Sequence, residues 1–414
     1  MIVSYKEFVG GVNKIKPFAL DMKGDSSVLL NFSGSELHFC FYNGKQSISS
    51  KVEVSLEDGD IDKVAVVKLS NISELIELCN APAGIETGDL TLTIDEQNIN
   101  ASTYKYTLYC EDEDSEEYSQ KRVASVEKAI RYRGLDNDSS AKMLARMDYS
   151  AIFKGDSWDV WEKSKLMDIL KRVSKNDAKT CYISGPERKA FSISADNSSL
   201  TVIPIDKEIQ FGFTISSKVA KNVVEILSKV EDTDIRVRRD EGNTYCQIIT
   251  DSEYTGMMFE TMQMARMDYS MYSNYMAEEF NESQLVLNRV ALDDMIKAVL
   301  RSDKPDECKV RFVENTIGEL SMVVNKSGSS INKLNISVTC EAWKADDDGV
   351  LKNKEYNFNF RVLGNLLVNC YNTYVILETK AKSNAVATKL IDCIGKDDDG
   401  NIIESASHYT MHKE

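Results

Sequence analysis

The sequence predicts an α+β protein built from three repeated domains, each of two helices and about eight strands. Three observations carry this expectation. The stretch Ala145-Arg146-Met147-Asp148-Tyr149-Ser150 returns as Ala265-Arg266-Met267-Asp268-Tyr269-Ser270, an offset of 265 − 145 = 120 positions, and fixed self-similarity marks a duplicated architecture. The order helix, strands, helix, strands is readable three times along the chain. The length divides accordingly, with 414/3 = 138 residues per repeat, an ordinary domain size. The expected domains are 1–150, 151–282 and 283–414.

In the first domain Tyr5, Phe8, Val12 and Ile15 recur at helical spacing and predict a helix over 4–16. Strands follow at 27–32, 36–42 and 50–56. A strand at 64–69 runs into a short helix at 71–79, followed by strands at 90–94 and 103–110. Residues 111–144 read as an insertion, an acidic run from Glu111 to Glu117 followed by an amphipathic helix at about 118–133. The second domain has a helix at 158–175, strands at 180–183, 190–194, 200–205 and 211–215, a helix at 217–230, and strands at 235–239, 245–250 and 256–261. The third has a helix at 288–301, strands at 309–313, 319–325, 334–342 and 356–360, a helix at 362–372, and strands at 374–379, 385–391 and 408–411.

Hydrophobic residues make up 42% and charged residues 28%, the balance of a globular chain. No apolar run reaches about 18 residues and the N-terminus lacks a signal peptide's apolar core, so a cytoplasmic location without membrane contact is expected. Nine singly spaced cysteines without a C-x-x-C pair read as reduced core residues. With only three histidines, a zinc site or a Ser-His-Asp hydrolase has no support. Asp346-Asp347-Asp348-Gly349 and Asp397-Asp398-Asp399-Gly400 read as hairpin turns, and no Gly-rich phosphate loop is present. The expectation is a protein that is not an enzyme and needs no cofactor or metal.

The net charge, 50 − 66 = −16, speaks against nucleic acid until its distribution is considered. Helix 158–175 has an apolar stripe of Leu166, Ile169, Leu170 and Val173, and places Lys165, Lys171, Arg172 and Lys175 on the other side. Helix 217–230 likewise presents Lys218, Lys221 and Lys229. Helix 288–301 presents Lys297 and Arg301, and the first helix Lys6 and Lys14. Two helices depart from the pattern: 71–79 exposes Glu74 and Glu77, and 362–372 exposes Asn365, Asn369 and Asn372. Basic faces recurring at equivalent helices suit phosphate contacts that ignore base sequence. Without aromatic–basic interleaving, duplex DNA is the expected ligand rather than a single strand.

Several segments resemble the β-type DNA polymerase sliding clamps, the bacterial processivity factors. Val66-Val67-Lys68-Leu69-Ser70-Asn71-Ile72-Ser73-Glu74-Leu75 is similar to the strand-into-helix step of that family's first domain, and residues 99–108 to its closing hairpin. Phe213-Thr214-Ile215-Ser216-Ser217-Lys218-Val219-Ala220-Lys221 resembles the middle-domain equivalent. Phe360-Arg361-Val362-Leu363-Gly364 resembles the third, Arg266-Met267-Asp268-Tyr269 the crossing between domains, and Tyr409-Thr410-Met411-His412 the C-terminal tail. The sequence departs from the family in the 111–144 insertion, in both hexapeptides, which lack a proline, and in Asp206-Lys207-Glu208, where the family has Asp-Gly-His-Arg. Such divergence suits a bacteriophage-encoded clamp.

The resemblance implies a head-to-tail homodimer whose six domains close a ring around duplex DNA and tether the replicative polymerase. It places the subunit contact between Tyr104, Tyr106 and Leu108 of one copy and Val299, Leu300, Val310 and Phe312 of the other. It also implies a pocket for short linear motifs of the polymerase and clamp loader, at Leu200, Ile203, Ile205, Ser216, Val219, Tyr409, Met411 and His412. A different reading, a non-enzymatic viral structural or interaction protein of duplicated β-rich domains, would explain the repeat but not the basic faces confined to equivalent helices.

Overall fold

The computed structural model describes residues 1–20, 26–56, 63–110, 118–133, 157–175, 178–194, 199–240, 244–250, 255–261, 283–302, 304–326, 334–345, 355, 358–381, 386–396 and 402–410. Both copies of the hexapeptide, the acidic run 111–117 and the two Asp-rich turns lie outside the described residues.

In chain order, β1 (Ile2–Val3) precedes helix α1 (Tyr5–Ala19), which is followed by β2 (Ser27–Ser33), β3 (Glu36–Tyr42), β4 (Gln46–Glu53) and β5 (Lys63–Lys68). Helix α2 (Leu69–Cys79) leads to β6 (Glu86–Thr87), β7 (Leu90–Ile94), β8 (Asn98–Cys110) and β9 (Tyr118–Arg131). Next come β10 (Asp159–Glu162), α3 (Lys163–Lys175), β11 (Ala178–Ser184), β12 (Lys189–Ser194), β13 (Ser199–Pro204) and β14 (Phe213–Ile215). Helix α4 (Ser217–Leu227) is followed by β15 (Asp234–Arg239), β16 (Tyr245–Thr250) and β17 (Gly256–Glu260). The last stretch is β18 (Ser283–Asn288), α5 (Arg289–Leu300), β19 (Lys309–Glu314), β20 (Leu320–Lys326), β21 (Leu334–Ala345), α6 (Phe360–Leu367), β22 (Tyr374–Ala381), β23 (Val386–Lys396) and β24 (Ile402–Thr410).

The chain forms two units, Met1–Met167 with Lys221–Thr261 and Asp168–Ala220 with Met262–Glu414, the division passing through α3 and α4. The first unit holds a small sheet, in which β8 pairs with β6 and β7 on one side and with β9 on the other. It also holds an eight-stranded sheet, β10-β15-β16-β17-β4-β3-β2-β5. The second unit is one eleven-stranded sheet, β14-β11-β12-β13-β24-β23-β22-β18-β21-β20-β19, with α5 and α6 packed together beside it.

Each of the two larger sheets contains the same kind of seam. In the first unit β4, the third strand after α1, pairs with β17, the third strand after α4, from Gly256↔Ser49 to Phe259↔Gln46. In the second, β13, the third strand after α3, pairs with β24, the third strand after α6, from Ser199↔Thr410 to Val202↔Ser407.

Three expectations are corrected. The strand expected at 356–360 does not run to Phe360, which is the first residue of α6 with Asn359 as its N-cap. Residues 118–131 are not helical but form β9, paired with β8 along its whole length. Helix α6 ends at Leu367, so Asn369 is not on an exposed helix face; it is buried, and Asn372 is half-buried.

Helix α1 illustrates the packing. Phe8 meets Phe39 of β3 edge-on at 5.2 Å between centroids, and Gly11 lies directly over the same ring. A Cβ at Gly11 would sit 2.6 Å from two Phe39 ring carbons, and Phe39 is fully buried. Gly11→Ala is therefore expected to lower stability by about 1–3 kcal/mol despite alanine's better helix propensity, which denaturant unfolding would measure. Further along, Pro17 lies inside the helix and carries no N–H, which frees the Asn13 carbonyl four residues earlier. Lys229 Nζ donates to that carbonyl at 2.9 Å.

Candidate nucleic-acid interface

The eleven cations expected to face DNA fall into distinct groups. Lys6 on α1, Lys171 on α3, Lys218 and Lys221 on α4, and Arg301 at the end of α5 are exposed. Lys165 and Lys297 are also exposed but pair along their own surfaces, Lys165 with Glu162 at 3.7 Å and Lys297 with Asp293 at 2.5 Å. Lys14 is half-buried, and the side chain of Lys175 lies outside the described residues.

Two of the eleven are corrected. Lys229 is half-buried and engaged, its Nζ donating to the Asn13 carbonyl and pairing with Glu225 at 3.0 Å. Arg172 is 3% exposed. Its Nη1 donates to Asp392 Oδ2 at 2.8 Å and to the Asn369 carbonyl at 2.9 Å, and its Nε donates to Asp168 at 3.0 Å. Its Nη2 reaches Ser405 Oγ at 3.2 Å, and its guanidinium lies 4.5 Å from the Tyr371 ring centroid. Asp392 is fully buried and accepts further bonds from the Tyr371 and Asn372 backbone N–H groups, each at 3.0 Å, and from Ser405 Oγ at 3.0 Å. Burial pushes the Asp392 carboxyl up, but the Tyr371 N–H, Arg172 and the Asn372 N–H outweigh it and hold it below the usual carboxylate range. Burial likewise opposes the charge on Arg172, and its bonds with Asp392 and Asp168 hold it firmly protonated. Arg172 thus ties α3 to β23 and cannot contact a phosphate.

The sequence carried a signal that separates these neighbours. Arg172 follows Ile169 by three positions and so flanks the apolar stripe, whereas Lys171 lies across the helix from it. Nothing in the sequence marked Asp392 as its partner, 220 positions away.

Of the residues expected to line a peptide pocket, Leu200 and Tyr409 are register partners across the β13–β24 seam, and both are buried, as are Ile203 and Ile205. Ser216 and Val219 at the start of α4 are half-exposed, with Ser216 Oγ accepting from the Val219 N–H at 3.3 Å. Among the expected lining residues that the structure describes, Ser216 and Val219 thus retain substantial surface for a ligand; Met411 and His412 lie outside the described residues. Beside Tyr409, His408 is buried with Nδ1 2.9 Å from Thr201 Oγ1 across the same seam. Burial lowers its pKa to about 3, and the nearby Arg172 charge adds to the shift.

The residues expected at a subunit contact differ in their exposure. Val299, Val310 and Phe312 belong to the core of the second unit together with Leu292, Met295 and Leu363, so their side chains are enclosed within that core. Leu300 and Leu108 are exposed, while Tyr104 and Tyr106 are half-buried, their rings 5.8 Å apart. Because β8 is paired on both sides, its backbone is not a sheet edge; the edge belongs to β9.

This arrangement, with six α-helices and antiparallel sheets among the described residues, is the α+β fold of the DNA polymerase sliding clamps, and it extends over the whole chain. The DNA polymerase sliding clamp of Pseudomonas aeruginosa matches with a TM-score of 0.68 at 12% identity, covering 100% of this chain and 99% of that one. The DNA polymerase III beta subunit of Thermotoga maritima matches at 0.66 and 13%, covering 100% and 98%. The DNA polymerase III beta chain of Streptococcus pneumoniae matches at 0.68 and 11%, covering 100% and 99%. No family model and no curated protein matches the sequence.

Proposed function

We propose that the chain is a sliding clamp, a head-to-tail homodimer with three domains per copy at 1–150, 151–282 and 283–414. Its six-domain ring encircles duplex DNA without reading sequence and tethers a replicative DNA polymerase for processive synthesis. It acts in the cytoplasm, catalyses nothing itself, and is of bacteriophage origin. The observation that carries this reading is the clamp fold over the full chain length with exposed cations on four of its helices, in a protein of net charge −16. Exposed cations on these helices attract the DNA backbone, while the net acidic charge of the whole chain disfavours unspecific attachment elsewhere. Short linear motifs of the polymerase and the clamp loader dock near Ser216 and Val219.

The test is topological. Loaded onto nicked circular plasmid, the protein is expected to stay bound through a high-salt wash and to dissociate once the plasmid is linearised. Equal retention on circular and linear DNA would sink the ring.

A further inference from the structure

Helices α3 and α5 each follow directly on a strand, and an offset of 289 − 163 = 126 positions aligns their first residues. Their apolar stripes then coincide residue for residue: Leu166, Ile169, Leu170 and Val173 correspond to Leu292, Met295, Ile296 and Val299, all of them buried. The cation across the helix coincides too, Lys171 with Lys297, both exposed. Two neighbours of that cation differ. Arg172 corresponds to Ala298, and Met167 to Asp293.

These differences decide how each lysine is held. On α5, Lys297 is tied to Asp293, four residues earlier, at 2.5 Å. On α3, Met167 takes the place of that acid, and the helix's one carboxylate is Asp168, three residues before Lys171 and four before Arg172. Residues three and four apart on a helix are neighbours, so Asp168 can serve either cation. It serves Arg172, whose Nε donates to Asp168 Oδ2 at 3.0 Å. Among the described residues the Lys171 ammonium has no partner. The Asp168 side chain is 49% exposed, so without Arg172 it is free to swing to Lys171.

The rest of the Arg172 guanidinium is anchored on Asp392, on the Asn369 carbonyl and on Ser405, against the Tyr371 ring. Seating a helix of this kind does not require such bonds, because α5 rests on the same stripe with an alanine at this position. Apolar burial is non-directional, whereas a guanidinium held on several sides has one orientation, and the best-attested use of a buried ion pair is to set such a register. We propose that Arg172 is a positioning residue for Lys171: anchored on Asp392, it holds Asp168 to its own side of α3 and so keeps the Lys171 ammonium available to a DNA phosphate. This deepens the DNA-facing reading above and rests on it. A lysine paired with Asp168 would present no net charge, so it would neutralise no phosphate and displace no counterion.

The test is salt-dependent plasmid binding by the full chain, read beside circular dichroism. Lys171→Gln is expected to make the slope of log affinity against log salt shallower by about 0.9, the share of one phosphate. Arg172→Lys keeps a charge for Asp392 but has no Nε to hold Asp168, so the same loss of about 0.9 is expected with an unchanged spectrum. Adding Asp168→Asn to Arg172→Lys should restore the slope, a larger gain than the same substitution gives in the wild-type chain. A merely structural role for Arg172 would not be repaired by removing a surface carboxylate. If Arg172→Lys does not fold, Arg172→Met/Asp392→Leu releases Asp168 without leaving a buried charge, and its slope should fall and recover in the same way. A wild-type slope in the Arg172 variants, or a lost slope that Asp168→Asn does not restore, overturns the inference while leaving Lys171 a DNA contact. If Lys171→Gln itself leaves the slope unchanged, the DNA-facing reading of α3 fails and the inference with it.

Discussion

Asp392→Ala is expected to destabilise the second unit by about 3–5 kcal/mol, because it strands the Arg172 guanidinium in a buried site without its main counter-charge. The Tyr371 and Asn372 N–H groups would lose their acceptor as well. Denaturant unfolding should show this as a lower midpoint, with the exposed helix cations left in place. The double variant Asp392→Leu/Arg172→Met, which removes both charges, should recover much of the stability; if it is as unstable as the single variant, the pair does not act as a unit. The pH dependence has a definite sign. The Asp392 carboxyl is held below its unfolded value, so its contribution is present above about pH 4 and is lost as pH falls further. His408 has a folded pKa of about 3 against 6.5, so the unfolded chain takes up a proton that the folded chain excludes. Stability therefore falls as pH drops from about 6.5 towards 3, and His408→Gln should flatten the part of the thermal-midpoint profile above about pH 4.

Reversing charge at Lys171, Lys221 and Arg301 is expected to have the largest effect on DNA association. For every phosphate that is no longer neutralised, the slope of log affinity against log salt should become shallower by about 0.9. Arg172→Glu, one residue from Lys171, should do something different: unfold or loosen the second unit through a buried repulsion with Asp392. Salt-dependent plasmid binding together with thermal melting separates the two effects. If Lys171→Glu melted like Arg172→Glu, or if the triple reversal left the salt slope unchanged, the exposed cations would be merely solvated.

Strand β9 shows where local pattern misleads. Lys121, Ala124, Glu127, Lys128, Ala129 and Arg131 favour helix, and Val123, Val126 and Ile130 recur at near-helical spacing. A half-buried strand advertises itself by alternation, but the first half of β9 is exposed on both faces and has no reason to alternate. Its conformation comes from pairing with β8, from Cys110↔Tyr118 to Asn98↔Arg131. Read as a helix, it leaves β8 as the apparent sheet edge, whereas among the described strands β8 is paired on both sides and β9 lies outside it.

The sequence by itself determined the repeating order of helices and strands, the apolar stripes that seat α3, α4 and α5, and the cations lying opposite those stripes, because periodicity is a local property of the chain. It determined the strand-into-helix steps at Leu69 and Ser217 for the same reason, whereas Phe360, expected to end a strand, is the first residue of α6. Tertiary structure alone decided that Arg172 is a buried tie to Asp392 rather than a phosphate contact, that Lys229 caps the carbonyl released by Pro17, and that β9 forms the edge. Each of these depends on a partner far away in sequence, where pairing and burial override what a residue's neighbours suggest.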